Sequence, residues 1–236
     1  MLLAGVWLRR GCLIAIGMLL LGGVWLATAA AAPALIVPMQ VQQGSLVSLK
    51  IPQFDSGMSG AAMAMFNEQC RQEIFRRLHE FEAVAYETRL TPKLPAAVKS
   101  AMKFMADYEV FRSDARLVSL TQKVYQFTGG AHGMSWQIGH TIDLETARRI
   151  ELPDLFAYGA PFAERLTRLV REEGAARNLP MWNFKGIGDN AAFYLHEDAI
   201  VLFFQPYEVA PYSEGIVSMR IPVSMLEDIL RPEYFR

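Results

Sequence analysis

Cysteine is scarce in this chain: Cys12 and Cys70 are the only two among 236 residues. That is too few for a disulfide framework. The four histidines, His79, His132, His140 and His196, show none of the C-x-x-C or H-E-x-x-H spacings that preset a metal site on one helix or loop. A zinc enzyme is therefore not written here, and no cofactor is expected. Positive charge is not in excess either, with 23 Lys and Arg against 24 Asp and Glu. A nucleic-acid partner normally requires a basic patch, so that class is set aside. What is abundant is apolar residues, 52% against 20% charged, enough for a real core and too many for a disordered chain.

Part of that excess is local. The first 38 residues carry only Arg9 and Arg10 as charges, ahead of an uncharged run from Cys12 to Ala27 and the alanine-rich Thr28 to Ala32. A short positive region, an apolar run and small residues form the layout of a secretory signal peptide over residues 1–32, with Ala27 and Ala29 offering cleavage before Ala30. The competing reading is an uncleaved anchor, because the uncharged stretch continues to Pro38 and is long enough to span a bilayer. Either reading sends residues 40–236 out of the cytoplasm and leaves the N-terminal segment as the only membrane contact. Cys12 precedes the apolar run, so it is not placed like a lipoprotein cysteine.

Residues 39–236 read as a single α+β domain, a mostly antiparallel sheet with two or three helices packed on one face. Residues 39–52 suggest one strand. From Ser59 as N-cap, Phe66, Cys70, Ile74, Leu78, Phe81 and Ala85 recur every three or four residues and predict a helix with one buried face. Cys70 lies on that stripe and reads as packing. Val98, Ala101, Met102 and Met105 suggest a shorter helix with methionines as core filler. A hairpin follows over 107–128, then the alternating strand 135–144, with Trp136, Ile138, His140, Ile142 and Leu144 on the core side against Gln137, Gly139, Thr141 and Asp143. His140 reads as a buried, hydrogen-bonded structural residue. Pro161 opens a helix carrying Leu166, Leu169 and Val170, residues 178–190 form a long connection, 192–204 a second hairpin and 215–223 a last strand.

Two loop motifs stand apart. In Tyr125-Gln126-Phe127-Thr128-Gly129-Gly130-Ala131-His132-Gly133, three glycines at a strand end permit φ > 0 and close approach, with His132 presented between them. In Tyr207-Glu208-Val209-Ala210-Pro211-Tyr212-Ser213-Glu214-Gly215, a loop bounded by Pro and Gly exposes two tyrosines and two acids. Each is compatible with plain turn chemistry, and each has the composition of a binding surface.

With Asp143-Leu144-Glu145-Thr146, Leu152-Pro153-Asp154-Leu155-Phe156, Phe193-Tyr194-Leu195 and Ile221-Pro222, the two motifs run in order over residues 125–222. This series resembles the extracytoplasmic domain shared by RsiV-type anti-sigma factors that act as lysozyme receptors and the N-terminal region of peptidoglycan deacetylase C. The resemblance implies an α+β domain outside the membrane and, in its receptor branch, lysozyme binding. Only the segment through Arg10 precedes the apolar run, so a complete anti-sigma factor is not expected. The deacetylase chemistry belongs to a separate later domain of that branch, so deacetylase activity is not expected either.

Three function classes follow. A non-catalytic envelope binding protein would use Tyr125, Thr128, Gly129, Gly130, His132, Gly133, Tyr207, Glu208, Pro211, Tyr212 and Glu214 as its contact surface, with a lysozyme-type muramidase as the partner the resemblance implies. A peptidoglycan-binding module would use Tyr207, Tyr212 and Trp182 as stacking platforms. A glycan-modifying enzyme would need two carboxylates across one cleft; Glu208 and Glu214 are the nearest pair in sequence, and nothing there fixes their separation.

Overall fold

The computed structural model describes residues 36–55 and 60–235. The leader reading over 1–32 and the Ser59 cap lie outside the described residues. Strand β1 (Ile36–Gln43) pairs antiparallel with β2 (Val47–Phe54). The single strand expected over 39–52 is thus a hairpin. Gly44 turns it in the left-handed region, at φ 56, a reversal that the apolar pattern on either side does not announce.

Helix α1 (Ala61–Leu90) follows, with Gly60 at its N-cap. Phe66, Cys70, Ile74, Leu78, Phe81 and Ala85 are all buried, as the periodicity requires. They pack with Val47, Leu49 and Ile51 of β2. The opposite side carries ion pairs one turn apart, such as Arg76 with Glu80. Burial pushes the Cys70 thiol up, away from the reactive thiolate. Helix α2 is only Ala96–Ala101 and buries no residue. The chain is already extended at Lys103, so Met105 lies on a strand, 45% exposed, and only Met102 fills the core.

Strands β3 (Lys103–Ser113), β4 (Leu117–Phe127), β5 (Met134–Asp143) and β6 (Arg148–Arg149) complete a sheet in chain order. All its pairings are antiparallel except β2 with β3. A parallel pair needs a crossover, and α1 is part of it, which is why that helix lies on one face of the sheet. A second antiparallel sheet is built from β7 (Phe193–His196), β8 (Ala199–Phe204) and β9 (Val217–Pro222). Helix α3 (Phe162–Ala176) packs on it through Leu166, Leu169 and Val170. The fold is α+β and mostly antiparallel, with the strands divided between two sheets and the long helices between two cores.

Both faces of β5 are covered, against the expectation of one core face. Gln137, Thr141 and Asp143 are as buried as His140 because β7 crosses the polar face. The Leu195 amide donates to Ser119 Oγ at 2.7 Å, and Ser119 Oγ is 2.8 Å from Thr141 Oγ1. Ser119 and Thr141 are therefore hydrogen-bonded joinery between sheets, while Asp143 accepts from Arg116 and from the Glu145 and Thr146 amides; a period-two pattern reads Thr141 and Asp143 as solvent-facing.

On the α1 side, His140 Nε2 lies 2.7 Å from Gln122 Oε1, Gln122 donates to the Cys70 carbonyl at 3.3 Å, and the His140 ring meets Phe66 edge-on. An amide oxygen only accepts, so Nε2 carries the proton of the neutral ring. Burial, with nearby Arg149 adding to it, lowers the His140 pKa to about 3. The unfolded chain takes up a proton near pH 6.5 that the folded chain refuses until about pH 3. Stability from this group is therefore lost as pH falls through that window, with a limiting slope of about 1.4 kcal/mol per pH unit. Urea unfolding at pH 7, 5 and 4 is expected to show stability falling more steeply in the wild type than in His140→Gln, by up to about that slope; equal slopes would remove His140 from the acid response.

Candidate ligand-binding surface

The first loop leaves β4 at Phe127 and enters β5 at Met134. Gly129 adopts φ 97, and a side chain there would meet Val98 Cγ1 at 3.2 Å, so this glycine packs the loop against the α1–α2 corner. Gly133 is needed for space. A Cβ would sit 2.3 Å from the Tyr125 ring, which lies directly against it. Gly130 is exposed with nothing near it. Gly129 thus serves the packing of the loop, neither Thr128 nor Gly130 reaches the second motif, and Tyr125, His132 and Gly133 form the half that faces it.

The second loop connects β8 to β9. Tyr207 adopts φ 70, rare for a side chain of this size, and the residue is 50% exposed. Its turn is closed by Glu208, whose Oε2 accepts from the Gln205 amide at 2.7 Å. The Gln205 side chain in turn spans to β5, accepting from the Gln137 amide at 3.0 Å and donating to its carbonyl at 2.8 Å. Those backbone groups lie on the β5 edge that β6 does not reach. Gln205 therefore covers an open sheet edge and pins the second loop beside the first. Sequence reasoning passed over it; a glutamine closing an apolar strand just before Pro206 carries no distinctive signal.

Pro211 opens a short 3-10 turn over Tyr212–Glu214, and Gly215 ends it at φ 62. Tyr212 then lies on His132, ring centroids 4.0 Å apart and 26° from parallel, with Tyr207 5.7 Å from Tyr212. The Tyr212 hydroxyl donates to the Gly133 carbonyl at 2.7 Å, and His132 Nδ1 is 2.8 Å from the same oxygen. A carbonyl only accepts, so Nδ1 is protonated, and in the neutral ring Nε2 is left as an acceptor toward the Tyr207 hydroxyl at 3.5 Å. The two motifs, about 80 residues apart in the chain, make one three-ring cluster. Glu214 is exposed beside it. Trp182, 45% exposed, is strapped to the second loop by its amide, which donates to the Val209 carbonyl at 2.8 Å.

Chemically, the arrangement offers flat faces and hydrogen-bonding edges. Glu208 is committed to its own turn. Among the described residues no three His, Cys, Asp or Glu side chains converge as a metal site.

Comparison with known proteins divides the chain in two. Residues 41–135 match the family described as "Deacetylase PdaC", and residues 153–224 match the family described as "Protein of unknown function (DUF3298)". The peptidoglycan-N-acetylmuramic acid deacetylase PdaC of Bacillus subtilis is 25% identical over 136 residues, which cover 54% of this chain. The chain spans only 29% of that protein's length. A solved DUF3298 family protein of Pseudomonas aeruginosa superposes with a TM-score of 0.62 at 21% identity, covering 86% of this chain and 97% of that one. One from Bacteroides fragilis gives 0.57 at 18% identity, with 86% and 95% covered. These structural likenesses establish the fold, and the sequence matches support a domain of the PdaC and DUF3298 type. His132 falls in the first matched segment and Tyr207 and Tyr212 in the second, so the ring cluster lies where the two meet.

Proposed function

We propose that this chain is an extracytoplasmic binding domain that holds the glycan of the bacterial cell wall on the Tyr207–Tyr212–His132 cluster without transforming it. The observation that carries the reading is the cluster itself: stacked rings from two distant loops, partly exposed, with hydroxyl and imidazole edges beside the faces. Sugar rings present axial C–H groups to aromatic faces and hydroxyls to polar edges, so the surface suits them. The relation to a protein named for peptidoglycan, together with the leader pattern in the sequence, supports a place outside the cytoplasm.

A lysozyme-type muramidase is the partner that the family resemblance implies. Such a cationic protein would be steered by acids, and Glu208 and Glu214, both exposed, are the two that this loop presents, a modest electrostatic lure. Titration calorimetry with peptide-free glycan oligomers whose lactyl carboxyls are capped as amides, and with lysozyme, at low and physiological salt, separates the two. Glycan heat that is unchanged by salt is the expected result. Heat with lysozyme alone, eroded by salt, replaces the glycan by a protein partner. Silence with both ligands overturns the binding assignment, and release of a modified sugar replaces binding by catalysis.

A further inference from the structure

The second sheet covers only part of the face that the first sheet turns away from α1. Where the cover ends, a groove of about 460 Å³ remains, lined by residues that include Lys50 of β2, Met105 and Asp107 of β3, Lys123 and Tyr125 of β4, and Ile216 ahead of β9. Tyr125 lies between the groove it lines and the ring cluster, since its ring is against Gly133, whose carbonyl holds Tyr212. The two sites are therefore adjoining.

Their chemistry differs. The groove has an apolar middle, with Met105 45% exposed, and charge of both signs around it. Lys50 Nζ is 3.0 Å from Asp107 Oδ2, and Lys123 Nζ is 3.0 Å from Glu109 Oε2, with every one of these side chains more than half exposed. Ion pairs so open to water hold their partners weakly, so each can turn to a ligand at little cost. Sugar hydroxyls can hydrogen-bond Lys50, Lys123 and Asp107, but a glycan brings no cation for Asp107 and no small apolar side chain for the middle of the groove. A short peptide bearing free carboxylates, an amino group and small methyl side chains answers both signs and the apolar middle.

We propose that this groove is a second subsite, which takes the stem peptide attached to wall glycan while the ring cluster holds the sugar. The assignment rests on the glycan reading above, and the volume is that of an ordinary small-ligand pocket. Lysine and carboxylate then act as paired contacts: Lys123 or Lys50 on a peptide carboxylate, Asp107 on its ammonium group, with Met105 and Ile216 against alanine methyls.

The test uses three probes on the chain: a disaccharide–tetrapeptide muropeptide, the same disaccharide stripped of its peptide with the lactyl carboxyl capped as a simple amide, and the free tetrapeptide. The intact muropeptide is expected to bind about tenfold more tightly than the stripped one, as one or two charge-assisted hydrogen bonds at an open site allow. Added salt erodes that margin. Lys123→Met and Asp107→Asn, both surface changes, remove the margin and leave the stripped disaccharide unaffected. Equal affinity for the intact and stripped ligands overturns the peptide subsite and leaves the glycan reading standing. Binding of the free tetrapeptide without the disaccharide keeps the groove and overturns the glycan reading, and failure of all three overturns both.

Discussion

Tyr212→Ala is expected to weaken glycan binding about thirtyfold, close to 2 kcal/mol, the scale of a central aromatic contact in a binding surface. Tyr212 has three connections: it stacks on His132 at 4.0 Å, neighbours Tyr207 at 5.7 Å and bonds the Gly133 carbonyl at 2.7 Å. Truncation removes a ligand platform and also the ring against which His132 and Tyr207 rest. Tyr212→Phe keeps the stack and loses only the hydrogen bond, so a loss of about threefold is expected. Tyr207→Gly serves as an independent arm. Glycine tolerates the left-handed backbone that Tyr207 adopts at φ 70, so the turn is expected to hold or gain stability while binding falls. Calorimetric titration with glycan oligomers, alongside thermal melts, reads both quantities. Wild-type affinity in Tyr212→Ala would remove the ring cluster from the binding site.

The elements whose partners are close in sequence were legible before any coordinates. The α1 stripe from Phe66 to Ala85 follows from periodicity alone, because a helix repeats its buried face locally. The hairpins β3–β4 and β7–β8 follow from short turns between apolar runs. The β1–β2 reversal was hidden since one glycine turn interrupts no apolar pattern, and β3 began earlier than expected because Met102 and Met105 fit a helix or a strand equally well. The binding surface was legible in composition and illegible in geometry. Both motifs could be marked as loops, yet nothing in either says that His132 meets Tyr212 rather than solvent. That meeting depends on Gln205 reaching the backbone of Gln137, a contact across 68 positions that no local rule contains. Likewise Glu208, read as a free outward acid, stays exposed but closes its own turn by accepting from the Gln205 amide.

Gly139→Val is expected to be the most damaging single substitution in the region, lowering stability by about 3 to 5 kcal/mol. A Cβ at this position would stand 2.1 Å from the Phe193 carbonyl oxygen and 3.2 Å from the Phe203 ring. The first obstacle is backbone, so no rotamer change relieves it. Strand β7 would have to lift, and lifting it stretches the bond from the Leu195 amide to Ser119 Oγ, leaving polar atoms of Ser119, Thr141 and Leu195 buried without partners. The same displacement travels two residues along β5 to Gln137, the anchor of Gln205, and so to the loop carrying Tyr207 and Tyr212. Binding is therefore expected to fall even at temperatures where the variant remains folded. Gly130→Val, at an exposed position with open space around it, is the matched control and should change stability by less than about 0.5 kcal/mol. Urea midpoints for the two variants, followed by glycan titration of whatever fraction of Gly139→Val is folded, read the two effects separately. An unchanged midpoint would mean that the sheets are not in contact at Gly139, and a lowered midpoint with full glycan affinity would mean that the ring cluster assembles without the docking of β7.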